Sequence, residues 1–423
     1  MMITNIIEKS IFYLFLLLPI SLLLGTMVSE ISMILICLFF LYHSLLVKNF
    51  EWLKNKDFKI LLALYFLLII NSIFSNDVSL SLPRNIGFIK YIILIFAVKI
   101  IILEKDIVFN KILSFWTIII LITVFDLYFE YISGKNILGF YTKYPGRLVG
   151  FSGDENKIGT FIAGFLFPIV IFWFYKIFYN QTDKQKFFKK IFYFLFAILT
   201  LYILLLVGQR SIVIRLLIPI AIGFYFFPFV GVKKKIFLFF LSSILVCTIV
   251  WNNQNIKSRY IDQILWPDNN KINLTKTYKE SHYWKHHYSS FLVFKNNILF
   301  GVGNKNYRKT CDEFSDIVNK LTINKNSLSP CAMHPHQVYF EFLSEHGILG
   351  ILFIIILTAL CLKKFSFFKK NKNLYLLGAF AYFVYTFIPL IPTGSFFTSF
   401  NATLFWVNYC FFYTKINNNN LNS

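Results

Sequence analysis

Stretches of roughly 16 to 25 apolar residues recur from one end of this 423-residue chain to the other, parted by short polar tufts. A helix rising 1.5 Å per residue needs about 20 such residues to cross a hydrocarbon core of ~30 Å. Inside that core every backbone polar group must be satisfied within the structure, so only helices and closed barrels can cross. Unbroken apolar runs without polar alternation exclude a barrel. The composition agrees: 57% of residues are hydrophobic, 15% are charged, and the mean hydropathy is +0.63. The chain reads as an all-α polytopic integral membrane protein with about twelve transmembrane helices. The expected spans lie near residues 11–27, 29–47, 60–75, 86–103, 112–132, 158–179, 191–207, 212–231, 236–251, 338–362, 374–391 and 396–413.

Charge supplies the orientation. Lys and Arg number 42 against 20 Asp and Glu, a formal excess of +22. On a soluble domain that excess would suggest a nucleic-acid partner, but here most of it sits in tufts between spans, so no nucleic acid is expected. With the N-terminus inside, the tufts at Lys48–Lys59, Lys105–Lys111, Lys184–Lys190, Lys233–Lys235 and Lys363–Lys372 fall on one side. By the positive-inside rule that side is the cytoplasm, which puts a bacterial-type inner membrane around the chain and both termini in the cytoplasm. The first run, about Ile11 to Gly25, contains Pro19 and lacks a small-residue cleavage site, so it reads as an uncleaved span. Four regions result: an N-terminal bundle of about nine helices (1–251), a large external loop (252–337), about three C-terminal helices (338–413), and a polar, Asn-rich tail (414–423) too hydrophilic to pack.

The conspicuous polar residues gather on the external side, in Ser133–Lys157, in the tight turn Gly208–Ser211 and in the excursion Trp251–Gln337, which is far longer than a connector needs. Cys37, Cys247, Cys361 and Cys410 lie in or beside spans, whereas Cys311 and Cys331 share the external loop. In an oxidising compartment those two are expected to pair, which would stabilise the loop by roughly 3 kcal/mol. Arg147 and Arg210 sit at outer membrane entries, where a charge either anchors a helix end or faces a wet cavity. Their planar forks suit phosphate oxygens. Arg308, Lys305 and Arg215 are second candidates, and Arg215 lies one turn and a fraction beyond Arg210. His282, His286 and His287 carry no metal-site spacing, so no metal is expected. His334 and His336 flank Pro335 just before an apolar helix, where a neutral imidazole either caps the helix or accepts a proton from a hydroxyl. Gln337 and Glu341 follow within one turn. Asp154 and Glu155 are alternative bases or a solvated pair. Lys90, Lys99 and Asp126 lie near or within spans and keep a transporter or flippase reading open. GVGNK lacks the Gly-Lys-Ser/Thr ending of a nucleotide loop.

His336, Gln337, nine residues, Gly347, two more and Gly350 resemble the H-[NSQ]-x(9)-G-x-x-G pattern of the O-antigen ligases and the HPHN form shared with O-antigen polymerases and protein O-oligosaccharyltransferases. Gln337 stands where Asn is commoner. GRLVGFSGDENKIG, GQRS and FGVGNKNYRKTC follow in the family's order. The resemblance implies a GT-C-like membrane glycosyltransferase with a large periplasmic loop and no cofactor. It would move a glycan from undecaprenyl diphosphate, with inversion, to a hydroxyl of lipid A core or of a growing glycan. His336 and Arg210 would be catalytic, and Arg147, Arg210 and Arg308 would hold the diphosphate. The implied surroundings are membrane lipid and a chain-length regulator.

Overall fold

The structure is a computed structural model and describes residues 2–144, 146–153, 155–179, 183–228, 230–262, 278–279, 281–321 and 329–414. Asp154 and the Asn-rich tail beyond 414 lie outside the described residues. Helices α1 (Met2–Leu16), α2 (Leu18–Leu24), α3 (Thr26–Val47), α4 (Lys56–Ile73), α5 (Val78–Ile86), α6 (Ile89–Ala97), α7 (Asp106–Ser133), α8 (Ile158–Tyr179), α9 (Asp183–Leu206), α10 (Arg210–Phe226) and α11 (Val232–Asn252) come first. The external segment holds α12 (Gln254–Lys257), α13 (His282–Asn296), α14 (Tyr307–Cys311) and α15 (Ser315–Leu321). The chain closes with α16 (Val338–Asn371), α17 (Leu374–Thr386) and α18 (Ser399–Cys410). No strand occurs among the described residues.

All twelve apolar stretches fall on helices, but they are not equal. Six are long and apolar enough to cross a bilayer: Thr26–Val47, Val78–Leu103, Asp106–Ser133, Ile158–Lys176, Val232–Asn252 and Val338–Phe368. The pair α1 and α2, bent by 53° where Pro19 opens the second helix, makes a seventh if counted as one span. Two others are apolar but short, Leu195–Leu206 and Leu374–Thr386. The chain is a polytopic α-helical membrane protein. Helix α11 is apolar all round and buries none of its residues in the protein, as a helix surrounded by lipid would.

Aromatic residues fill the bundle centre. Trp116 packs on Phe15 and Phe165, with ring centres 5.2 and 5.0 Å apart, and Trp406 packs edge-on against Phe88 at 5.5 Å. Several charged side chains inside the bundle are engaged. Lys90 pairs with Glu30 at 2.5 Å, Lys364 pairs with Asp57 at 2.5 Å, and Lys99 lies over the Phe96 and Tyr413 rings. Asp126 and Glu130, at the end of α7, accept backbone N–H groups of the connection that follows: Ile137 at 2.9 Å on Asp126, and Val149 and Gly150 at 3.1 and 2.7 Å on Glu130. Two buried carboxylates thus fold the 134–153 connection back over the bundle. The three charges that kept a transport reading open, Lys90, Lys99 and Asp126, are all engaged in holding the fold.

Candidate functional site

A break inside α16 organises the candidate site. At Gly347 the backbone takes φ 62° and ψ −146°, a region only glycine enters readily, and the helix restarts beyond it. Residues 298–303 thread through the break. Val302 and Gly303 donate their N–H groups to the carbonyls of Ser344 and Glu345, at 2.9 and 2.8 Å. In return Ile348 donates to the Ile298 carbonyl at 2.9 Å. A Cβ on Gly347 would stand 2.5 Å from the carbonyl oxygens of Ile298 and Leu299, and one on Gly301 would stand 2.5 Å from the His346 nitrogen. On Gly350 it would meet the Phe342 oxygen at 2.5 Å. Gly347 is therefore demanded by the crossing of residues 298–303, and Gly350 by the close approach of the two halves of α16 at the break. Asn71 of α4 pins the crossing by donating to the carbonyls of Phe300 and Glu345, at 2.5 and 2.9 Å.

About three helical turns before this break in the chain stands the histidine cluster. Gln337 caps α16: its side-chain oxygen accepts from the N–H groups of Tyr339 (2.6 Å) and Phe340 (3.3 Å). His336, just before the cap, has φ 57°, a left-handed backbone that costs about 1–3 kcal/mol outside glycine. Its ring centre lies 4.2 Å from that of His334, 5.2 Å from His286 and 6.2 Å from Tyr283. His286, His287 and Tyr283 come from α13, which lies against α16 through a hydrogen bond from Ser290 to the Phe340 carbonyl (2.7 Å) and His287 stacked on Phe340 at 4.6 Å. The Ser281 side chain caps α13 by accepting from Trp284 N–H at 3.3 Å.

Burial, then the neighbouring histidines, pull the His336 imidazolium from the usual imidazole range down to about 3. Burial likewise brings His334 and His287 to about 4, and lowers His282 and His286. At neutral pH this is a cluster of neutral rings able to accept a proton or a hydrogen bond.

Beside it lies a cluster of arginines. Arg210 begins α10 and donates to the Arg259 carbonyl (3.2 Å), while Arg259, in the π-helical turn Ser258–Asp262, donates to the Gly208 carbonyl (3.0 Å). Gly208 makes room for both Gly146 and Arg259: a Cβ there would lie 2.6 Å from the Gly146 carbonyl oxygen and 3.1 Å from the Arg259 Nε. Burial, then the charges of Arg147 and Arg210, lower the proton affinity of Arg259. No carboxylate lies within ion-pair distance of Arg147 or Arg210 among the described residues. A cavity of about 250 Å³ opens here, lined by Glu130, Tyr131, Arg147, Leu206, Asn255 and Arg259. The charge of Arg210 reaches His282, and those of Arg210 and Arg147 reach Tyr283, so arginine and histidine clusters adjoin.

Residues 194–355, from α9 through the external segment to just past the break in α16, match the family model for O-antigen ligase. Over those residues the chain is similar to the O-antigen ligases. The matched stretch contains Arg210, Arg259, the five clustered histidines, Gly347 and Gly350, whereas Arg147 lies outside it. No curated protein matches the chain.

The remaining candidates take different places. Arg215 points inward, buried, its guanidinium 4.4 Å above the Tyr385 ring. Arg308 is exposed and reaches the Met333 sulfur at 2.7 Å, with no described contact to Arg147 or Arg210. Lys305 is exposed, with φ 70°, in the turn after the crossing strand. Glu341 is buried and turned toward the connection between α17 and α18, away from the histidine rings. Glu155 is paired with Lys157. Cys311 and Cys331 are joined, their Cα atoms 5.6 Å apart, tying α14 to the segment leading into His334. No group of three or more metal-type ligands occurs among the described residues. Sequence reasoning missed Arg259 and also Arg84 of α5, whose charge acts on His334. Each is a single arginine in a polar stretch, with no spacing to mark it.

Proposed function

We propose that this protein is an inverting, metal-independent glycosyltransferase of the inner membrane. It moves a glycan from undecaprenyl diphosphate to an acceptor hydroxyl on the periplasmic side, with both termini cytoplasmic. The observation that carries the reading is the meeting of a neutral histidine cluster with an arginine cluster lacking carboxylate partners at Arg147 and Arg210. A diphosphate supplies the missing negative charge. Arg147, Arg210 and Arg259 hold it, and their fixed charges stabilise what develops on the leaving oxygen. The acceptor hydroxyl donates a hydrogen bond to the imidazole of His336. Its oxygen attacks the anomeric carbon from the face opposite the diphosphate, the carbon–oxygen bond to phosphate breaks, and the electron pair leaves with the diphosphate. The proton passes to His336 and then to water.

A histidine held near 3 is a weak base in the empty site. The charge of a bound diphosphate favours the imidazolium, so donor binding strengthens the base when it is needed. Ligation to lipid A core is the leading form of the reaction, and joining repeat units into polymer uses the same donor. The test is a gel profile of surface glycolipid and lipid-linked glycan in a deletion host carrying the wild type or His336→Ala. Loss of mature glycolipid with accumulation of lipid-linked polymer supports ligation, and single-repeat products support polymerisation. Full rescue by His336→Ala removes the catalytic reading.

A further inference from the structure

His336 is held from a second side by the connection between α17 and α18. The Thr393 N–H donates to the His336 carbonyl at 2.7 Å, which is the hydrogen bond that fixes a left-handed, non-glycine backbone. Buried charge ties that connection in turn. Glu341, one turn into α16 and 1% exposed, accepts from the Ser395 hydroxyl and from the Phe396 N–H at 2.8 Å. Arg84 of α5 donates Nε–H to the Phe397 carbonyl at 3.1 Å. The start of the connection is fixed by Tyr339, whose hydroxyl donates to the Phe387 carbonyl at 2.8 Å, and by Gln337, which donates to the Ile388 carbonyl at 3.3 Å. Neither Glu341 nor Arg84 hydrogen-bonds His336 itself, although the charge of Arg84 acts on both Glu341 and His334.

We infer that Glu341 and Arg84 are positioning residues: they lock residues 393–397, and that segment holds the His336 backbone in the conformation that aims its imidazole at the acceptor. This rests on the transferase reading above. A buried carboxylate with two donors suits the task, because charge-assisted hydrogen bonds to a loop resist the motion a neutral contact would allow. α5 and α16 both reach the same connection, Arg84 through the Phe397 carbonyl and Glu341 through Ser395 and Phe396.

The test uses the full chain purified in detergent. Glu341→Ala should lower kcat by roughly 30-fold or more while donor KM moves less than about 3-fold, since the arginine cluster is untouched. Glu341→Gln keeps an oxygen for the Phe396 N–H and should recover to within about 5-fold of wild type. In a His336→Ala background, Glu341→Ala should change the residual rate by less than about 2-fold, because the residue it positions is gone. An equal loss in both backgrounds, or a KM rise that accounts for the loss, overturns the inference. A readout independent of transfer is the rate at which diethyl pyrocarbonate modifies His336, followed by mass spectrometry. Glu341→Ala should speed it several-fold with His43 unchanged, and an unchanged rate at His336 overturns the inference even if the protein transfers nothing. Absence of transfer by the wild type counts against the proposed function alone.

Discussion

Replacing Gly347 by alanine perturbs the point on which the site turns. The new Cβ would have to occupy φ 62° and ψ −146°, which costs about 1–3 kcal/mol in backbone strain alone. It would also stand 2.5 Å from two carbonyl oxygens and 2.6 Å from the Gly301 nitrogen, all backbone atoms of the crossing strand. Relief requires the strand to retreat, lengthening the hydrogen bonds from Val302, Gly303 and Ile348, each worth about 1 kcal/mol net. Together the loss is roughly 4 kcal/mol, which at about 2 °C per kcal/mol for a large domain lowers the melting temperature by about 8 °C. The assay is thermal unfolding in detergent followed by intrinsic fluorescence, with transfer measured on the same samples. Transfer should fall as well, since residues 337–346 carry the cap that seats His336. Gly223→Ala is the comparison: no neighbour lies within 4 Å of its Cβ, so it should be neutral or stabilise by about 0.5–1 kcal/mol. A Gly347→Ala variant melting within a degree of wild type would refute the crossing as described.

Four further outcomes follow from the site and the segment around it. In the native protein His336 is held at about 3 and His334 and His287 at about 4, below the ordinary 6.5, so the unfolded chain takes up protons first as pH falls. Stability present above about pH 6.5 is therefore lost progressively toward pH 4, by about 1–2 kcal/mol per histidine at pH 5, and melting curves flat from pH 7 to 5 would contradict this. For the same reason kcat/KM should hold to about pH 5 instead of falling near 6.5, and titration of activity at 6.5 would show that the free-enzyme base is not a buried histidine. Arg259→Met should raise donor KM about tenfold or more, whereas Arg308→Met should stay within a few-fold of wild type in the same kinetic assay. Reducing the Cys311–Cys331 link, which closes a separation of 20 residues, should cost about 3 kcal/mol of external-segment stability, read as faster proteolysis between 278 and 331.

The helices were legible because each apolar run must satisfy its own backbone, so length and hydropathy alone place them. Their interruptions were not. Gly347 sits inside a run that reads as one continuous span, and only the strand passing beside it explains the break. The run expected from residue 86 begins at Val78, because Asp77 caps the helix by accepting from Ser79 N–H at 3.1 Å and Pro83 is tolerated within it. In the site, His336 and Arg210 were readable from a motif and a membrane boundary. Gln337 was readable as part of the motif, while its role as a cap appears only in the folded chain. Arg259 was invisible because the signal for it is two glycines, Gly146 and Gly208, far apart in sequence and adjacent only after folding. Glu341 was legible only as a second candidate within a turn of the motif, and the structure turns it from the histidine rings because Ser395 and Phe396 lie on its side of α16.

The central claim is that His336 and the arginine cluster transfer a glycan from a lipid diphosphate. The most direct measurement is transfer by purified protein in liposomes containing a defined undecaprenyl-diphosphate glycan and an acceptor glycolipid, scoring product and its anomeric configuration by NMR. Wild type should give one inverted product and free undecaprenyl diphosphate, and His336→Ala a rate reduced by about 10² or more. Retention of anomeric configuration, or an undiminished rate with His336→Ala, would contradict it.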